Sequence, residues 1–520
     1  MDKIKQAQPT KEALLNKQLP TILAILFGVC LIYTIRTASI GWDHTINDRH
    51  SFRQSQTATT AYYIVNHPFK LAYETPILGK PWSIPMEFPI YQWIVARIAG
   101  FSGMPLDQAG RLVSLLFFLS TTIPLFYLLR AAGVSFGHSW LPLTLFIVSP
   151  FYIFWSRTFM IESSALFFSM AYLAAAIICP NNRSIWKTVL PVILGVFAGL
   201  AKVTTFLGYI PLVIAFLLAR IWGIWCKERD IQKIRFHVIC LGLVTGIPMG
   251  IAFAWVRFAD SIKEANPLAA AYLTSQCAHN YAWNYGTWDQ KLSGLVWGNI
   301  VGRFPEFIGI PQFAYLLLGA IFAVTLLCRR RRKETLICIG AYLIAPAIFT
   351  NLHFVHDYYA NANAVFLIGA IGFAIVGLLE SVETQWTGVI LGTLAVTSAI
   401  WGHSVFYLPK QFNDNKEVLE AAERIRSSTP EDSVIICIGN DWSPLVSYYA
   451  RRRALNFPME NEGKTPPELV ASALASLKNE KIGAIVLVEP VSYPLNIAKE
   501  QLREAGISVP IINVQGLQRF

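Results

Sequence analysis

Long apolar runs set the first limit on this chain. Stretches long enough to cross a bilayer recur from Pro20 to about Leu408. A span takes roughly 20 mostly apolar residues, and it is helical because a backbone in hydrocarbon must satisfy its own hydrogen bonds. The chain has 520 residues, 54% of them hydrophobic and only 14% charged, against roughly 25% charged in ordinary soluble domains. The expectation is a mainly α, polytopic membrane protein. About 11 transmembrane helices are predicted, near 20–40, 110–130, 138–154, 163–179, 187–200, 204–225, 236–256, 310–328, 334–350, 362–380 and 386–407.

The net charge of +11 does not point to nucleic acid. Residues 409–520 hold 13 Lys+Arg and 14 Asp+Glu, so the excess lies in residues 1–408. Much of it sits in short loops, which is the positive-inside pattern. The segments 226–235 (CKERDIQKIR), 328–334 (CRRRRKE), 181–187 and the N-terminus read as cytoplasmic. The loops 41–109 and 257–309 then face the other side, as do the short segments around Arg157, Lys202 and Asn351–Ala360. Lys3, Lys5, Lys11 and Lys17 precede the first run without a small-residue cleavage site, which predicts a first transmembrane helix and no removed signal. Eight cysteines without C-x-x-C spacing predict neither a disulfide framework nor a zinc site.

Residues 409–520 read differently. SVIICIG (433–439) and IGAIVLVE (482–489) are short β-branched runs, with helical patterns at Pro466–Asn479 and Ser492–Ala505. Strands alternating with helices predict a small C-terminal α/β domain. An odd number of spans makes it extracytoplasmic, beside a membrane domain covering 1–408.

The polar residues collect on that same side. WDHTINDRHSFRQSQTATTAYY (Trp42–Tyr63) holds Asp43, His44, Asp48, Arg49, His50, Arg53, Gln54 and Gln56, and its second half reads as a polar helix lying at the interface. LGKPWSIPMEFPIYQW (78–93) adds Lys80 and Glu87, SRTFMIESS (156–164) adds Arg157 and Glu162, and GLAKVTTF (199–206) adds Lys202. NLHFVHDYYANAN (351–363) adds His353, His356, Asp357, Tyr358 and Tyr359. Simpler readings exist for some of these. The two histidines of the last segment would suit an aromatic belt, Arg157 and Glu162 an ion pair between helix ends, and Lys202 a snorkelling cation.

Lipid phosphate would be gripped by cations such as Arg53, Lys80, Arg157 and Lys202. Displacement at an anomeric carbon needs a carboxylate to accept a proton and a means of stabilising the departing phosphate. His44, His50, His353 and His356, with Asp43, Asp48 or Asp357, offer ligands for a divalent cation, although no H-E-x-x-H spacing is present. No other cofactor is indicated.

RQSQTATTA, EFPIYQW with the following AGRLVSLLF, SRTFMIES and HDYY resemble the GT-C fold glycosyltransferases. The nearer likeness is to the bacterial protein O-mannosyltransferase and lipid A aminoarabinose transferase superfamily, over about 40–410. The resemblance implies an enzyme of the bacterial cytoplasmic membrane that takes a sugar from a polyprenyl-phosphate donor. Transfer would occur with inversion, on the extracytoplasmic side, to a glycan, lipid or protein acceptor. Many relatives carry an acidic pair or a lone Asp where HSFRQ stands here, and Ser51 and Phe52 occupy that neighbourhood. A KPPL segment of some relatives is also missing: Glu87 holds its place, and Lys80 lies seven residues earlier.

The expected general base is therefore Asp48, then Glu87, then Asp43. Arg157 and Lys202, with Arg53 and Lys80, are expected to bind the donor phosphate. His50, Gln54, Glu162, His353, His356, Asp357 and Tyr358 are expected to line the sugar or acceptor pocket. The rivals are a transporter or flippase of a polyprenyl-linked glycan and a non-catalytic scaffold. Internal repeats and helices broken at mid-membrane would favour the transporter, and the sequence shows neither.

Overall fold

The computed structural model describes residues 11–179, 184–327, 329–412, 414, 416–439, 441–457, 466–488, 500 and 502–514. Every predicted span falls on helix. Among the described residues, five helices are long and apolar enough to cross a membrane unaided: Gln18–Ala38, Leu106–Ala131, Val203–Lys227, Ile231–Lys263 and Gln385–Phe406. A sixth span forms if Gly294–Ile308 and Pro311–Val324, bent by 99° at their junction, are taken together. Glu162–Ile178, Ile185–Ala201 and Ala364–Leu379 are apolar but shorter.

The bend at Gly309 has a steric cause. Its φ of +140° is open to glycine, and a Cβ there would lie 1.9 Å from Ser398 Oγ. Across the same contact a Cβ on Gly402 would lie 2.5 Å from Gly309 Cα. Small residues let these backbones meet, as is common where membrane helices cross. Gly137 similarly accepts Pro20 of helix α1 (Lys11–Ala38). Aromatic residues of the segment Pro150–Trp155 and of Phe304–Ile308 fill the centre of the largest apolar core.

The C-terminal region forms one parallel sheet. Strands β1 (Val434–Ile438), β2 (Arg453–Asn456), β3 (Ile482–Val488) and β4 (Ile511–Val514) pair in the order β2-β1-β3-β4. Parallel strands need crossovers, which Leu445–Ala450 and Pro467–Ala475 supply between β1 and β2 and between β2 and β3. The predicted helix at Ser492–Ala505 lies mostly outside the described residues. β2 and β4 had no sequence signal: β2 opens on the arginine run 451–453, and β4 is a four-residue edge strand.

This sheet is built into the membrane part. The outer edge of β2 is covered by residues 76–79, with Ala454 N–H donating to Pro76 O (3.0 Å) and Gly79 N–H to Ala454 O (3.1 Å). An edge strand left bare would invite foreign pairing, and this loop occupies it. Tyr448 Oη and Tyr449 Oη donate to the two carboxylate oxygens of Asp107 at 2.5 and 2.7 Å, and Ile46 N–H donates to Tyr449 Oη at 2.8 Å. Two apolar cores are shared, one joining Ala58, Tyr91 and Val95 to Val418 and Leu445, the other joining Ile77 and Leu78 to Val434 and Leu455.

Candidate active site

The site is organised by helix α2 (Ser51–Asn66), which follows His50. The polar sequence of α2 predicts an interfacial helix. Instead Gln54 through Ala61 are buried, because residues 74–95 and the C-terminal region cover it. Buried amides must be satisfied, and these are. Gln54 donates to Asp48 and to Arg49 O (2.9 Å) and accepts from Phe159 N–H (2.9 Å). Gln56 accepts from Arg53 and donates to Met86 Sδ. One helix turn thereby ties the segment after the first span to the SRTFMIES corner and to the EFPIYQW loop.

Four ionic groupings result. Asp48 meets Gln54 and, at 3.4 Å, Nη1 of Arg157, whose Nη2 donates to Gly41 O at 3.0 Å. Arg53 pairs with Glu87. Tyr73 secures that turn, donating to Glu87 O and accepting from Met86 N–H, both at 2.7 Å. Lys202 occupies the break between two helices (Val189–Ala201 and Val203–Lys227) and donates to Glu162 Oε1 at 2.6 Å. Its Nζ lies 4.1 Å from the centre of the Tyr359 ring and 5.5 Å from that of Tyr358, a cation–π arrangement. Asp357 takes Arg49 and His50, the latter at 2.8 Å.

These groupings feel one another. Burial opposes the charge on Arg53, yet Glu87 and Glu162 outweigh it and hold the guanidinium above its ordinary range. Burial pushes the Glu87 carboxyl up, and Arg53 with Lys202 brings it below its ordinary value. Asp357 follows the same pattern, with burial overcome by His50 and Arg49. Burial, reinforced by Lys202 and Arg303, draws His353 down to about 3. Burial and then His50 draw His356 to about 4.

A pH dependence follows from these shifts. Between the ordinary imidazole value of 6.5 and these lowered values, the unfolded chain binds protons that the folded chain does not, so stability falls as pH falls. Below the ordinary carboxylate range the contribution of Glu87 and Asp357 is lost as well. Thermal unfolding in detergent should show Tm dropping from about pH 7 to about pH 4.5, with the slope reduced in His353→Gln. An unchanged slope in that variant would remove His353 from the account.

Twelve of the fourteen predicted site residues are tied into these groupings or the rings beside them, and two lie apart. Asp43 is exposed. Lys80 reaches the C-terminal region and pairs with Glu480 at 2.6 Å. Glu162 pairs with Lys202 and leaves Arg157 to Asp48, and Lys202 is buried, so it does not snorkel. His353 is also buried, with its own and the following carbonyl bonded by Arg303 at 2.6 Å each. Among the described residues no group of three or more His, Cys, Asp and Glu could hold a metal ion.

Sequence reasoning missed Arg111. It is fully buried and donates from Nη2 to His44 O and Thr45 O, both at 3.0 Å. An arginine inside an apolar run is itself a signal, so it was there to be found. Trp155 and Trp283, whose rings flank His50 and His356, carried no such signal among so many aromatics.

No family model and no curated protein matches the sequence. Solved structures do. AglB, an archaeal oligosaccharyltransferase from Archaeoglobus fulgidus in complex with an inhibitory peptide and a dolichol-phosphate, is 12% identical, with a TM-score of 0.56 over 94% of this chain and 69% of that one. ArnT from Cupriavidus metallidurans bound to undecaprenyl phosphate is 12% identical, with a TM-score of 0.55 over 87% of this chain and 89% of that one. This chain is a multi-pass membrane protein with the GT-C fold that those structures share.

Proposed function

We propose that the protein is a membrane glycosyltransferase that moves a sugar, with inversion, from a polyprenyl-phosphate donor to an acceptor outside the bacterial cytoplasmic membrane. The observation that carries this reading is the convergence of five polar segments, far apart in sequence, on one cluster of cations, carboxylates and rings. The fold-mates support a lipid-phosphate donor, since one holds undecaprenyl phosphate and another a dolichol-phosphate with a peptide. The basic segments 226–235 and 329–333 support an extracytoplasmic site by the positive-inside rule.

The cluster suits the reaction. Arg53 and Lys202 are each neutralised by one carboxylate at rest. An arriving phosphate would compete for them, and their charge would then stabilise the polyprenyl phosphate as the bond to the anomeric carbon breaks. Arg157 is buried beside Asp48 and holds that carboxylate in place. Tyr358 is buried between His356 and Tyr359, so Tyr359, half-buried beside Lys202, is the ring placed to meet a sugar. The C-terminal region, docked over α2, acts as a cap that positions the acceptor.

Reconstitution into liposomes with undecaprenyl phosphate bearing glucose, galactose, mannose or arabinose tests the reading, with methyl glycosides as hydroxyl acceptors. Release of undecaprenyl phosphate with formation of a new glycoside is expected. Movement of the intact lipid-linked sugar across the bilayer without its consumption would make the protein a flippase instead.

A further inference from the structure

If the protein is a glycosyltransferase, something must take the acceptor's proton. Of the carboxylates first suggested by the sequence, Asp48 is engaged by Gln54 and Arg157 and Glu87 by Arg53, while Asp43 is exposed and apart from the cluster. We infer that the proton acceptor is the imidazole of His50, oriented by Asp357. This rests on the reading above and extends it to a residue-level mechanism.

Three observations carry the inference. First, His50 sits at φ +52° and ψ +44°, immediately ahead of α2. That region is unfavourable for a residue with a Cβ, and such strain persists where the surroundings enforce it. Second, Nε2 lies 2.8 Å from Asp357 Oδ1. A carboxylate can only accept, so a neutral imidazole in this contact carries its proton on Nε2 and its lone pair on Nδ1. A carboxylate that sets the tautomer and steadies the imidazolium is what a histidine base requires. Third, the ring is boxed by Tyr358, His356 and Trp155, at centroid distances of 4.8, 5.5 and 5.7 Å, yet its side chain keeps 16% exposure. It is held in one orientation without being sealed off.

A purely structural role explains this poorly. Arg49 already ties the same stretch of chain to Asp357. A second donor to one carboxylate, placed there at the cost of backbone strain, adds little as a fastener. Its position suits chemistry, because Arg53 N–H donates to His50 O at 3.0 Å, so the two residues adjoin at the start of α2. The base and a cation for the leaving phosphate would then stand side by side. The charged and titratable groups that meet the ring are Asp357, His356 and Tyr358, and Arg49 and Arg303 act on Asp357 beside it.

The step balances. The acceptor O–H gives its proton to His50 Nδ1 while the oxygen forms the bond to the anomeric carbon. The bond from that carbon to the phosphate oxygen breaks, and its electron pair leaves with the polyprenyl phosphate. The imidazolium, paired with Asp357, returns its proton to water.

The experiment compares wild type, His50→Gln, His50→Ala and Asp48→Asn in the liposome assay, with undecaprenyl phosphate binding measured alongside. His50→Gln is expected to lose roughly 10²–10⁴-fold in turnover and to bind undecaprenyl phosphate as wild type does. Added imidazole should restore part of the turnover of His50→Ala. Retained turnover in His50→Gln overturns the inference. So does a parallel loss of undecaprenyl phosphate binding, absence of rescue by imidazole, or abolition of turnover by Asp48→Asn alone. A wild type that consumes none of the lipid-linked sugars would defeat the glycosyltransferase reading itself. Indifferent His50 variants of an active wild type would defeat only the assignment of the base.

Discussion

Lys202→Ala is expected to destabilise the protein by about 3–5 kcal/mol, the usual result of removing one partner from a buried ion pair. Lys202 and Glu162 are both almost wholly buried, with side-chain exposures of 4% and 3%. Among the described residues Glu162 Oε2 has no hydrogen-bond partner and Oε1 has only Lys202, so removing Lys202 leaves the carboxylate unpaired there. The lost cation–π contacts to Tyr358 and Tyr359 add to the effect. The double variant Lys202→Met with Glu162→Gln removes both charges, and it should recover much of the loss while abolishing activity. Thermal unfolding in detergent gives the answer. A Lys202→Ala protein as stable as wild type would mean that water reaches the pair.

Arg53→Ala should weaken binding of undecaprenyl phosphate by at least about ten-fold, since a hydrogen bond to a charged group is worth roughly 1.5–3 kcal/mol. Lys80→Ala should leave that binding unchanged. Both residues look like phosphate ligands in the sequence, but Arg53 faces Glu87 within the cluster, whereas Lys80 faces Glu480 of the C-terminal region. The contrast therefore tests the geometry, beyond the general effect of removing a positive charge. Equal losses in the two variants would place the phosphate nearer the edge of the C-terminal region.

The residues of the cluster were legible because they break the apolar background. A carboxylate or arginine beside a membrane-spanning run is costly and needs a reason. That argument picks out Glu162, Lys202, Asp357 and the stretch from Trp42 without any knowledge of the fold. It fails for pairing: Arg157 and Glu162 are five residues apart and looked like partners, yet each turned to a residue more than 35 positions away in sequence. Long-range partners depend on how helices cross, and no local pattern encodes that. Asp43 and Lys80 show the same limit, because a charged residue in the right loop can still point out of the site.

What the sequence determined by itself was the apolar helices, their interruptions and the two β-branched strands β1 and β3, since each is a matter of local hydrophobicity and period. It also showed which residues are too polar to be there idly. The tertiary structure alone decided that α2 is buried, that loop 76–79 closes the edge of β2, and that His50 meets Asp357 across 307 positions of chain. The physical reason is common to all three. Burial and charge pairing are set by what packs on top of a segment, and here much of what packs there lies far away in the sequence.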